Sequence, residues 1–151
     1  MPRKSNPYFS DKLQDHDLVV LEGERGECRC QQAFEALAIL VALRTWEQLW
    51  AQRRTSITVK ADNVAALTLT ATMKAKRGAM SRLAREMALD IAEGLYTPNL
   101  VAHIPGVVND CADALSRRFQ PGKTFQLPSL LAGGTEISVG NRDISFWRSL
   151  R

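Results

Sequence analysis

Three acidic residues stand at positions where a carboxylate could do chemistry: Glu35, Asp62 and Asp113. Glu35 sits among apolar neighbours early in a strongly helical stretch, Asp62 follows an alternating strand, and Asp113 lies near the start of a late helix. Each has an ordinary local explanation. An acid near a helix N-terminus is favoured by the helix dipole, and Asp62 can cap the helix that follows it. Asp113 can pair with Arg117 four residues on, worth only about a few tenths of a kcal/mol. Taken together, three carboxylates on separate elements match the needs of two-metal phosphodiester hydrolysis. Two divalent ions about 3.5–4 Å apart would activate a water and stabilise the leaving oxygen. Mg²⁺ takes hard oxygen ligands and keeps several waters, so sparse carboxylates suffice.

The elements that must position these acids are legible in part. Gln31 to Gln52 is rich in Ala, Leu, Glu, Gln and Arg with no Gly or Pro, which predicts a helix. Phe34, Leu37, Ala38 and Val41 form its apolar stripe, widened by Ala36, Leu40, Ala42 and Leu43, so burial over much of its circumference is expected. Thr55 to Ala61 alternates, with Ile57, Val59 and Ala61 on one face, which predicts a strand ending at Asp62-Asn63. Chemistry in open α/β sheets collects at such carboxyl ends. Val64 to Leu67 opens another helix, and Gly78 separates it from a helix over roughly Ala79 to Glu93 with a stripe of Met80, Leu83, Met87 and Ile91. A short strand over Asn99 to Ile104 ends at Pro105-Gly106, and Asn109 is placed to cap a last helix whose Ala112, Leu115 and Phe119 share one face.

Outside these elements the signals weaken. Pro7 to Ser10 reads as a short strand, and Leu18 to Leu21 as strand or helix start. Beyond Arg118 the glycines and prolines leave no clear period, so 120–151 is expected to be an extended tail or linker after a domain spanning 1–119, with Phe125, Leu127, Leu130, Phe146 and Trp147 available to dock locally on the domain or on a neighbour. Between Asn63 and Arg85 there is no acid, while Lys74, Lys76, Arg77, Arg82 and Arg85 crowd the second half. A basic run is ordinarily a solvated face; here its single sign, following Asp62, also suits phosphate contacts.

Composition bounds the rest. The 151 residues carry a net charge of +4 and are 45% hydrophobic, enough for one core and mild enough to permit an acidic partner without requiring one. Cys28, Cys30 and Cys111 do not supply the four paired ligands of a structural zinc site, and reduced thiols are expected. No stretch is apolar enough to span a membrane, and the basic start lacks a signal-peptide core, so an intracellular location in cytoplasm or nucleus is expected.

Three blocks of the chain resemble the ribonuclease H domain of retroelement reverse transcriptases of the long-terminal-repeat, gypsy-like or a related type. They are Ala33-Phe34-Glu35-Ala36-Leu37-Ala38, Val59-Lys60-Ala61-Asp62-Asn63, and His103-Ile104-Pro105-Gly106 through Ala112-Asp113-Ala114-Leu115-Ser116-Arg117. The last is the most specific. The resemblance covers roughly 7–119 and implies an α/β, ribonuclease H-like fold: a mixed sheet flanked by helices.

It further implies cleavage of RNA in RNA–DNA hybrids with Mg²⁺ or Mn²⁺, and four acids in the order Asp, Glu, Asp, Asp. Glu35, Asp62 and Asp113 resemble the last three, as catalytic residues and metal ligands. The first acid has no counterpart, because Tyr8-Phe9-Ser10 resembles the third strand and the first two strands are absent from this sequence. The lost Asp would bridge both ions, so weak or absent metal binding and little or no activity are expected. Asn63, Lys74, Lys76, Arg77, Arg82 and Arg117 are the expected nucleic-acid contacts, and the remainder of a reverse transcriptase polyprotein is the implied partner. His103 lies on the strand and is expected to be structural. Two other functions fit the same residues: a non-catalytic nucleic-acid-binding module, and an interaction module that pairs through the strand edge left open.

Overall fold

The computed structural model describes residues 7–47, 56–75, 78–106 and 109–150. The chain is mixed α/β and rich in helix, with two two-stranded sheets among the described residues. Its contacts divide it into two compact units, Met1–Lys12 with Pro105–Gly140, and Leu13–Ile104 with Asn141–Arg151.

The larger unit holds most of the elements. The opening run settles as helix α1 (Asp15–Leu21), where the Asp17 carboxylate accepts from the Gln14 backbone N–H at 2.9 Å and fixes the first turn. Helix α2 (Gln31–Thr45) begins where expected but ends short of Gln52, with Trp46 at its C-cap; residues 48–52 of the predicted helix lie outside the described residues. Ala33, Ala36, Leu37, Leu40, Val41 and Leu43 are buried, whereas Ala38 is exposed, so the buried face is rotated from the expected stripe. Phe34 instead closes over the loop before the helix. A Cβ at Gly23 would come within 3.2 Å of its ring, so a larger residue there would make the Phe34 ring give by a few tenths of an ångström.

Strand β2 (Ser56–Ala61) runs parallel to β3 (Thr97–His103), with Val59 opposite Val101 and Ala61 opposite His103. The register slips between Ile57 and Thr58, next to Pro98, which has no N–H to give the ladder. Parallel neighbours need a crossover, and here it is helices α3 (Val64–Thr72) and α4 (Gly78–Ala92). α3 is rich in β-branched residues, yet Thr68, Thr70 and Thr72 each donate to the carbonyl four residues back at 2.8–2.9 Å, so their hydroxyls are satisfied within the helix. α2 packs on both α3 and α4, and α3 lies against the two strands. Leu40, Leu69, Leu83 and Met87 form the fully buried centre.

Several expectations for the late residues come out differently. Asn141–Leu150 docks on the larger unit rather than trailing from it, and Trp147, one of the tail residues expected to dock locally, is fully buried, edge-to-face with Phe146 at 5.2 Å. Helix α5 (Asp110–Ser116), in the smaller unit, has no buried residue. It stops at Ser116, so Phe119 falls in the following turn rather than on the helical face, where Lys12 and Arg118 approach its ring at 4.9 and 5.6 Å. Asn109 stands at the N-cap position, but its side chain makes no capping bond. Also in this unit, β1 (Pro7–Tyr8) pairs in parallel with β4 (Thr135–Glu136), so residues beyond 119 belong with those before it. Among the described residues no helix is long and apolar enough to cross a membrane.

Burial of Trp147 makes a direct demand on stability. Trp147→Ala is expected to lower unfolding free energy by about 3–5 kcal/mol in urea titrations. Ile144→Ala, at an exposed position in the same segment, should stay within about 0.5 kcal/mol of the parent.

Candidate functional site

Asp62 lies one residue past the end of β2, exposed, in the bend that leads into α3. Its backbone carbonyl is 3.2 Å from Nε2 of His103, the last residue of β3, so His103 ties the two strand ends together. Capping falls to the next residue: the Asn63 side chain accepts from Ala66 N–H at 2.9 Å. The Asp62 carboxylate is thereby released from the capping role that local reasoning allowed it.

The other two acids are engaged differently. Glu35 is half-buried on α2 and accepts from Gln31 Nε2 at 2.9 Å. Asp113 is exposed on α5 and pairs with Arg117 Nε at 3.1 Å, the expected pairing one helical turn apart. Glu35 and Asp62 belong to the larger unit and Asp113 to the smaller one. Among the described residues no group of three or more His, Cys, Asp or Glu side chains is placed to hold a metal ion. Of the basic run, Lys74 and Arg85 are exposed and Arg82 is half-buried, while Lys76 and Arg77 lie outside the described residues.

A second set of charges was not anticipated from the sequence. Glu86 and Asp90, on successive turns of α4, are both fully buried. Arg44, from the end of α2, bridges them, with Nη2 2.8 Å from Glu86 Oε2 and Nε 2.8 Å from Asp90 Oδ2. Its guanidinium also stacks 4.6 Å from the centre of the Phe146 ring. Arg148 reaches Asp90 Oδ1 at 3.0 Å and also pairs with Glu93. The Tyr96 hydroxyl donates to Asp90 at 2.7 Å. A second buried pair joins Asp17 to Arg142, whose Nε lies 2.9 Å from both carboxylate oxygens. The sequence did carry a signal for these groups. Glu86 and Asp90 stand three and seven residues after Leu83, and Arg44 four after Leu40, so each falls on its helix's buried face.

Burial pushes the Glu86 carboxyl up, but the hydrogen bonds from Ser149 and Arg44 outweigh it and hold the group below the ordinary range. Burial likewise opposes the charge on Arg44, and its bonds to Asp90 and Glu86 more than compensate, raising its pKa. Tyr96 is pushed well above the usual tyrosine range, first by burial and then by the Asp90 charge. An open cleft of about 290 Å³ beside the cluster is lined by Arg44, Glu47, Asn141, Ser145 and Arg148 among others. Both arginines there already face buried carboxylates, so the cleft offers no uncompensated positive charge.

Two measurements check these roles. Asn63→Ala should cost about 1 kcal/mol of stability through the lost cap, whereas Asp62→Ala should leave stability within about 0.5 kcal/mol of the parent. Stability should also fall at both pH extremes. Glu86, depressed in the fold, contributes above its unfolded pKa and is lost as pH falls through the folded value. Tyr96, raised in the fold, contributes fully below the ordinary value of 10.0 and is lost progressively above it. Urea midpoints measured across pH should show both limbs, and Tyr96→Phe should remove the alkaline one. No protein-family model, no curated protein and no solved structure matches this chain.

Proposed function

We propose that the chain is part of a reverse transcriptase ribonuclease H-like domain whose first two strands and first acid are not among these 151 residues. The intact form would cleave the RNA of RNA–DNA hybrids by two-metal hydrolysis. The 151-residue chain itself is inactive or nearly so, holding Mg²⁺ or Mn²⁺ weakly or not at all. One observation carries the reading. An acid stands exposed, free of capping duty, at the carboxyl end of a parallel strand whose neighbour is reached through two helices. Glu35 on the preceding helix and Asp113 within the His-Ile-Pro-Gly to Ser-Arg block add to it through the resemblance. The setting would be intracellular, alongside the rest of a reverse transcriptase polyprotein.

The test is a labelled RNA–DNA hybrid incubated with the purified chain and Mg²⁺ or Mn²⁺. Cleavage should not rise above that of a Glu35→Gln control. Clear cleavage abolished by Glu35→Gln would overturn the inactivity and leave a working nuclease.

A second reading, a non-catalytic nucleic-acid-binding module, is favoured by the exposure of Lys74 and Arg85 in a stretch without acids before Glu86. Under it, hybrid binding weakens with salt, and joint Lys74→Glu and Arg85→Glu substitution lowers affinity by about tenfold or more at low salt. Asp62→Asn would leave that binding unchanged. Hybrid binding insensitive to both salt and charge reversal would rule this reading out.

A further inference from the structure

The segment Asn141–Leu150 has little structure of its own, a hydrogen-bonded turn at Asp143–Trp147 and a 3-10 turn at Arg148–Leu150, yet it buries Trp147 completely and Arg142 almost completely. Its attachments to the helices of its unit are ionic at both ends. At one end Arg142 clasps Asp17, and its backbone N–H donates to the Gln14 side chain at 2.7 Å. At the other, the backbone N–H groups of Arg148 and Ser149 donate to the two oxygens of Glu86 at 3.1 and 2.7 Å, while the Arg148 guanidinium holds Asp90 and Glu93. Trp147 sits between these clasps.

We propose that Asn141–Leu150 is an acid-released strap, held closed by the ionised Glu86 carboxylate and opening as a local unit when that carboxylate is protonated, while the α2–α4 core stays folded.

The geometry carries this. Both Glu86 oxygens accept from the strap, and Oε2 also accepts from Arg44. A proton on either oxygen turns an acceptor into a donor facing N–H groups, so at least one strap amide loses its partner in a buried site. Charged groups face Glu86 from every side of the cluster. Arg44 comes from α2, Arg148 from the strap, and Asp90 from the next turn of α4. Glu93 joins through Arg148, and Tyr96 through Asp90. Two guanidinium groups thus balance three carboxylates. Opening removes Arg148, leaves Arg44 as the cluster's remaining cation, and admits water, so release and proton uptake are linked. Against opening stands the burial of Trp147, which sets how far the pH must fall.

Hydrogen exchange on the full chain reads this directly. Between pH 7 and about pH 3, after correction for intrinsic rates, the Arg148 and Ser149 amides should lose about tenfold or more of their protection while the Leu40 amide in α2 retains its own. Glu86→Gln, which keeps an acceptor but cannot titrate, should flatten that pH dependence. If that variant does not fold, Arg148→Gln should lower strap protection at pH 7 with Leu40 unchanged. Loss of strap and Leu40 protection at the same pH would overturn the proposal, as would a Glu86→Gln chain with the parent's pH dependence, or Arg148→Gln leaving strap protection at the parent level.

Discussion

The larger unit depends on one arrangement: two carboxylates on α4, buried without access to water, whose charges are matched by one guanidinium from α2 and one from near the chain's end. Taking such charges out of water is expensive, and their attraction repays it only where the geometry is good and the remaining lone pairs are satisfied. Here the backbone amides of Arg148 and Ser149 and the hydroxyl of Tyr96 supply those further bonds. The consequence is positional. Arg44 reaches both acids at 2.8 Å only with α2 and α4 in this alignment, and Arg148 adds its charge only with the last residues docked.

That constraint bears on the strand ends indirectly. α2, fixed by Arg44 against α4, also packs on α3, and α3 lies on the parallel pair β2–β3. The sheet is only two strands wide among the described residues, too small to hold its own position. Its helices therefore define where Asp62 stands. The Asn63 cap and the His103 contact then fix the local turn, leaving the Asp62 carboxylate facing solvent. Of the other two acids, Asp113 in the smaller unit is held in an ion pair on α5, and Glu35 in a hydrogen bond on α2.

Much of this was readable from residue order alone. The alternation of Ile57, Val59 and Ala61 marked β2, the absence of Gly and Pro marked α2, and Gly78 marked the break before α4, because each rests on local geometry. The Asp113–Arg117 pair was legible for the same reason, four residues being one helical turn. Choosing between Asp62 and Asn63 as the cap was not, since both types cap well and the choice follows from where β2 ends. Phe119 was assigned to a helical face on spacing, and the helix ended first.

The sequence by itself determined that α2, α3 and α4 are helical, where the strand before Asp62 ends, and that Asp113 pairs with Arg117, since these follow from side-chain sterics and periods of a few residues. Only the tertiary structure decided the fate of Asn141–Leu150 and the roles of Glu86, Asp90 and Asp17. A carboxylate's burial is set by whether a distant cation arrives to compensate it. Arg142 is 125 residues from Asp17 and Arg148 is 58 from Asp90, separations over which no local pattern carries information.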